Sequence, residues 1–302
     1  MKKLIKRNKM KRTWDDILFD TIITAVALIL LVIFIYPLYY LVIASLSDLD
    51  AVVNGDVKFW VVGFSTESYQ MLLDRKDIWT GYMNSILITV SATLLNLVMT
   101  IIGAYVLSCP EFQPRTFIMK MMTFTMYFGG GLIPTFLLIQ NLGMYNTLWA
   151  LIIPNAINVH NLIIARTFIA NSIPYELREA AFLDGCGHIR LLWSIILPLS
   201  KAIIAVLALY YGVSHWNSYF SALIYLRDDA LAPLQLILRR ILLSAQTAES
   251  TGADIATIIK QIYMAEQLKY SSVIVASVPA LIAYPFVQKH LVKGVMIGSV
   301  KG

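Results

Sequence analysis

The chain has 302 residues, of which 58% are hydrophobic and only 14% charged, whereas a soluble domain carries roughly 25% charged residues. So apolar a chain has too little polar surface for water, and lipid is its natural solvent. Its net charge of +6 does not point to nucleic acid, because the basic residues do not cluster with aromatics on a polar face.

The N-terminus is a basic tail, residues 1–20, carrying Lys2, Lys3, Lys6, Arg7, Lys9, Lys11 and Arg12. A secretory signal has an apolar core of about 7–15 residues and a small-residue cleavage site. The apolar run 21–45 is longer and ends without such a site, so it is expected to be an uncleaved first span. A membrane helix needs about 20 apolar residues, and 83–108 supplies the second. Residues 121–165 contain no charge. That stretch is too long for one span and is split near Asn141, Gly143 and Asn146 into spans three and four. Span five is expected at 202–226. The sixth, 270–287, is short and rich in Ser and Pro. The expected fold is all-α: a polytopic membrane protein with six transmembrane helices, forming one domain over 21–302.

Basic residues fix the expected orientation, because cytoplasmic segments retain Lys and Arg. With the N-terminus inside, 16 of the 24 Lys and Arg and 7 of the 18 Asp and Glu lie on the cytoplasmic side. The inside is then about +9 and the outside about −3, which predicts both termini inside. Cys109 and Cys186 fall near the cytoplasm, where thiols stay reduced. They share no metal-ligand or redox spacing, no metal set is visible, and both read as small buried residues.

Two outer segments exceed simple connectors. Residues 47–80 are acidic, and 227–269 contain the run LAPLQLILRRILLSAQ with an amphipathic helical pattern. The long cytoplasmic loop is 166–201. In it, Ser172 precedes Pro174 as a candidate helix cap. A helix is expected over 174–183, with Ile173, Leu177, Ala180 and Ala181 near one face and Gly185 and Gly187 ending it. A short helix with small residues at its centre suits docking into a groove on another protein. The same helix could instead lie on lipid.

The spacing favours docking. Glu179-Ala180-Ala181, then Gly185, then Ile195-x-Leu197-Pro198 resembles the EAA loop of ABC importer permeases. The tail GVMIGSVKG resembles that of the smaller permease of maltose-type importers, and WNSYFSALIYL looks like the fifth span of carbohydrate permeases. The segment from FGGGLIPT to IIARTF resembles the branch linked to complex oligosaccharides, including aldouronates. The resemblance implies a type I ABC importer permease fold in the bacterial cytoplasmic membrane. It implies that Glu179, Ala180, Ala181, Phe182, Asp184 and Gly185 meet an ATPase, and that Lys301 and Gly302 reach between ATPase subunits. Its expected partners are a second homologous permease, an ATPase dimer, an extracytoplasmic sugar-binding protein and an oligosaccharide.

The chain lacks the phosphate loop G-x-x-x-x-G-K-[ST], so no cofactor is expected in it and ATP with Mg would be held by the partner ATPase. Gly129, Gly130 and Gly131 lie in an apolar stretch without Lys and are expected to serve close packing or a local break. Polar groups inside a span must face a cavity or another helix. Span five offers Tyr210, Tyr211, His215, Trp216, Asn217, Ser218 and Tyr219. Span four offers Asn155, Asn158, His160 and Asn161. Trp216 and Asn217, with Tyr219 and Asn158, are the best candidates to meet sugar. Both histidines are expected to be packed and neutral. A membrane enzyme would need catalytic carboxylates, and the spans hold no Asp or Glu. An ABC importer for another solute, such as polyamines, peptides or phosphate, fits the tail and WNSYF less well.

Overall fold

A computed structural model describes residues 13–250, 262–263, 265–266, 268–282 and 285. The basic residues 2–12, much of the outer loop and the C-terminal Lys301 and Gly302 lie outside the described residues. Every regular element among the described residues is helical.

Helix α1 (Trp14–Ser45) opens with a capping box. Asp16 N–H donates to Thr13 Oγ1, and Thr13 N–H donates to Asp16 Oδ2 at 3.0 Å. That box starts the helix before the expected residue 21. Only Ile43, Ala44 and Ser45 of α1 are buried. The rest offers its apolar side chains outward, as a lipid-facing helix does. Its far end is tied to the next loop: the Tyr36 hydroxyl donates to Lys58 O at 3.1 Å, and Tyr39 donates to Phe59 O. That loop carries two short helices, α2 (Leu49–Val53) and α3 (Glu67–Leu73).

Helix α4 (Lys76–Ser108) is the axis of the bundle, packed by α8, α12 and α14. Its 33 residues make a rod about 50 Å long at 1.5 Å per residue. A stripe of small residues, Gly81, Ser85, Ala92, Asn96, Thr100, Ala104 and Ser108, runs along its buried face at multiples of about four. Small side chains on one stripe let neighbouring backbones approach closely. Gly81 shows this directly: a Cβ there would lie 3.1 Å from Leu234 Cα and 2.6 Å from Ile237 Cδ1.

The uncharged stretch breaks earlier than its polar residues indicate. Helices α5 (Arg115–Tyr127) and α6 (Leu132–Asn141) meet at 113°. Gly131 at φ +88° supplies the backbone freedom, and Gly129 and Gly130 have nothing within 4 Å of a built Cβ. The glycines therefore break the chain, and among the described residues Gly129 and Gly130 have no packing neighbour there. The expected division near Gly143 and Asn146 is also present as a turn, with φ +69° and +59°. It leads to α7 (Trp149–Ile152) and α8 (Val159–Ser172).

Helix α9 (Tyr175–Leu183) follows. Next, α10 (His188–Leu191) runs through a π-helical turn, Leu192–Ile196, into α11 (Leu197–Leu199). An 81° bend then leads to α12 (Lys201–Trp216). Expected span five is thus α12 plus α13 (Phe220–Tyr225), and the amphipathic run of the outer loop is α14 (Leu234–Ser250). Residues Leu268–Ile282 form the last apolar helix, α15.

Among the described residues two helices, α1 and α4, are each long and apolar enough to cross a membrane, or up to four if each bent pair is one span. The described residues after α4 are therefore built from shorter and broken helices instead of long straight rods. The core divides along α4. One cluster at the α14 end includes Ile78, Ile88, Trp216, Leu234 and Leu268. The other, at the α9 end, includes Ile101, Tyr105, Ala165, Ala181 and Leu207.

Candidate functional site

Three places hold the residues singled out from sequence. The first is α9. Pro174 occupies the N-cap position with no side-chain cap, and Ser172 is the last residue of α8. The expected Ser172 cap is therefore not formed. The helix ends in a full Schellman motif: Gly185 N–H donates to Phe182 O at 3.0 Å and Cys186 N–H to Ala181 O at 2.9 Å. Gly185 sits at φ +77°, in the region that favours glycine.

The buried face of α9 splits the group Ile173, Leu177, Ala180 and Ala181, of which only Ile173 and Ala181 are buried. Arg178 is 4% exposed and Ala181 7%, while Leu177 and Ala180 face outward. The cause is the end of α4. Arg178 Nη2 donates to Ser108 Oγ at 3.0 Å and Nη1 to Ser108 O at 3.5 Å, and its Cζ lies 5.9 Å from the Tyr105 ring centroid. A helix C-terminus presents unpaired carbonyls and partial negative charge. Arg166 joins in, its Nε donating to Leu107 O at 3.3 Å. Two arginines thus cap α4, and one of them seats α9. Nothing in composition marked Arg178 as buried, although its spacing of three from Ala181 puts the two on one helical face.

Other contacts hold the same loop. Tyr105 OH and His188 Nδ1 are 2.8 Å apart. The Tyr175 hydroxyl donates to Glu111 Oε1, and that bond holds the Glu111 carboxyl below the ordinary carboxylate range while it pushes the Tyr175 phenol up. Besides Tyr175, Glu176 and Leu177, α9 and its turn leave outward Glu179, Ala180, Phe182, Leu183, Asp184 and Gly185. Ala181, expected at the same surface, instead packs inward in the α9-end core.

The second place is a cleft of about 710 Å³ lined by α12, α14 and α15. It contains Trp216, Asn217 and Tyr219 together. Trp216 is buried, and its Nε1 donates to Ala276 O at 2.9 Å. Asn217 is exposed in the cleft. Two further residues had not been singled out for this role: Gln235 and Arg239. Arg239 Cζ lies 4.5 Å from the Tyr219 ring centroid, within cation–π range. Its neighbour Arg240 pairs with Asp229.

Asn158 lies elsewhere, in a third place. Its Oδ1 caps α8 by accepting from Asn161 N–H at 3.1 Å, and its own N–H donates to Tyr211 OH at 3.3 Å. Tyr211 OH and Thr100 Oγ1 are 2.7 Å apart, and His215 Nε2 lies 2.8 Å from Asn96 Oδ1. Asn96 Nδ2 donates to Asn155 O. These groups form a polar belt between the two halves of the core. Of the polar residues read from spans four and five, Asn158, Tyr211 and His215 use their side chains there, and Asn155 and Asn161 join through backbone atoms.

The family profile described as "binding-protein-dependent transport system inner membrane component" matches residues 112–297. The chain is 36% identical to the polygalacturonan/rhamnogalacturonan transport system permease protein YtcP of Bacillus subtilis (strain 168), over 94% of this chain and 99% of that one. It is 37% identical to Protein LplC of the same organism, over 89% of this chain and 90% of that one. A solved structure of a bacterial ABC transporter involved in the import of the acidic polysaccharide alginate superposes with a TM-score of 0.82 at 30% identity. It covers 93% of this chain and 99% of that one. The chain is accordingly an integral membrane transport subunit whose ATPase is a separate subunit. Membership implies partners such as a second permease, an ATPase and a solute-binding protein. With the profile matched over more than half its length and relatives matched over nearly all of it, this chain belongs to the binding-protein-dependent inner-membrane components, the permease subunits of ABC importers.

Proposed function

We propose that this permease serves an ATP-driven importer for oligosaccharides, joining nucleotide chemistry in a partner subunit to sugar passage across the membrane. In this reading the chain crosses six times with both ends in the cytoplasm, so that 166–201 is the coupling loop and 227–269 the outer loop. Helix α9 enters a cleft on an ATPase dimer, which holds ATP and Mg. A second, similar permease completes the pathway, and an extracytoplasmic sugar-binding protein delivers the substrate to the outer loop. ATP binding closes the ATPases and draws the two coupling helices together, which opens the cleft outward. Hydrolysis resets it. Lys301 and Gly302 would reach between the ATPase subunits.

One observation carries the reading. Arg178 and Ala181 fasten α9 to the rest of the fold, while Glu179, Ala180, Phe182, Leu183, Asp184 and Gly185 are left facing out. A short helix held from behind, with an apolar and acidic front, is built to be grasped by another protein.

The cleft beside Trp216 supports the sugar half. Flat aromatic faces beside amide and guanidinium donors are what a sugar requires. Among the described residues no carboxylate pairs with Arg239, whose donors are therefore available to a uronate carboxylate. The relatives named for polygalacturonan and alginate import accord with that choice.

The test is uptake and binding-protein-stimulated ATPase activity in the reconstituted importer. Glu179→Lys is expected to insert normally and to lose both. Arg239→Met is expected to slow uptake of acidic oligosaccharides about tenfold relative to neutral ones. Normal coupling in the first variant refutes the docking role, and an unchanged ratio in the second refutes acidic-sugar recognition in the cleft.

A further inference from the structure

We propose that the cavity beside α5 binds an anionic phospholipid, with its headgroup phosphate held by Arg115, Lys120 and Arg166. The cavity measures about 430 Å³ and lies against α5 and α8. Its three cations come from both helices, and among the described residues no acidic one lines it. Like charges gathered without a counter-charge repel one another, so such a site is stabilised by an anion. Glu111, just before α5, is already engaged by Tyr175. The Nε of Arg166 is fixed on Leu107 O at 3.3 Å, which holds the guanidinium in place at the cavity wall.

The opposite part of the wall decides which anion fits. Phe124 and Phe128 line the same cavity, stacked at 4.5 Å between ring centroids. No residue of α5 is buried within the chain. Cations near one end of a helix and a bare aromatic wall farther along it match a phospholipid, with its phosphate at the basic end and its acyl chains on the rings. Inorganic phosphate would use only the first half of this site, and a neutral lipid only the second. The assignment needs the chain to lie in a membrane and needs no particular orientation there.

The experiment is native mass spectrometry of the complete importer released from nanodiscs of equal phosphatidylglycerol and phosphatidylcholine. It compares the natural chain with an Arg115→Gln/Lys120→Gln variant. Arg166 is left unchanged because it also caps α4. Phosphatidylglycerol retention is expected to weaken about fivefold for each charge removed, with phosphatidylcholine retention unchanged. If the double variant fails to assemble, Lys120→Gln alone, on an exposed side chain, reads the same shift for one charge. Equal phosphatidylglycerol retention in variant and natural chain overturns the proposal. Displacement of the lipid by millimolar inorganic phosphate or by oligogalacturonate also overturns it, since either would show a free-anion or sugar site.

Discussion

Arg178 reaches across from the middle of α9 to Ser108, the last residue of α4, and donates to its Oγ at 3.0 Å and its carbonyl oxygen at 3.5 Å. A buried guanidinium on helix-terminal carbonyls is a charge-assisted contact. Hydrogen bonds of that kind contribute about 1.5–3 kcal/mol each. Arg178→Met is therefore expected to free α9 from its seat and to lower uptake strongly, while insertion in the membrane persists. Ser108→Ala removes only the side-chain acceptor, one of the two bonds, and should cost about 1.5–3 kcal/mol, less than Arg178→Met. Thermal unfolding in detergent together with uptake in proteoliposomes checks both, and equal effects of the two substitutions would contradict the ranking.

Gly185 lies at φ +77° with nothing within 4 Å of a built Cβ. Its requirement within this chain is therefore conformational and not spatial. Gly185→Ala is expected to destabilise the turn by about 1–2 kcal/mol, and Gly185→Asn by less, because Asn tolerates this region. In the assembled importer, equal loss of coupling in both variants would instead mean that the ATPase presses on the glycine itself.

Asn96 is fully buried and bridges His215 and Asn155 O. Interhelical hydrogen bonds in membranes average about 0.6 kcal/mol and reach about 1.7. Asn96→Leu removes two of them and is expected to cost about 1–3 kcal/mol. Thr100→Val, which breaks one bond to Tyr211, should cost about 0.6 kcal/mol. Unfolding in mixed micelles gives both values.

The bond from Tyr175 to Glu111 sets a pH window for the start of α9. Glu111 titrates below its ordinary value in the folded chain, so its share of stability is present above the unfolded carboxylate pKa and lost as pH falls through the lowered one. Tyr175 is raised, so its share is present below the unfolded phenol pKa and lost as pH rises through the raised one. Hydrogen-exchange protection of the first turn of α9 should be flat around neutral pH and fall in acid. Tyr175→Phe should remove the acid limb, and an unchanged acid limb in that variant would assign it to another group.

What sequence made legible was local. The α9 helix and its stop at Gly185 follow from a short pattern that needs no tertiary partner. The amphipathic run that becomes α14 shows its period directly. What stayed hidden depends on neighbours. Hydropathy sees 121–165 as uniformly apolar, so it cannot place a 113° bend that rests on the backbone angle of Gly131. Arg178 looks solvated until the end of α4 is known to lie behind it. Asn158 looked like a sugar ligand, yet Asn three residues before Asn161 is also a helix-capping pattern, and capping is where its side chain is spent. Arg239 was legible only as the polar side of a helix, because what it faces is set by α12.

The close approach at Gly81 has a mechanical consequence. At one end of α4, the backbone of Leu234 lies where a Cβ on Gly81 would stand. At the other, Arg178 grips Ser108. A single rod about 50 Å long is thus clasped at both ends, by the segment that a motor would push and by the helix that walls the cleft. A tilt of about 5° at the pushed end sweeps the far end by about 4 Å over that length, close to the width of a sugar ring. Under the coupling role proposed for α9, α4 would act as a lever arm whose stiffness sets how much of each stroke arrives.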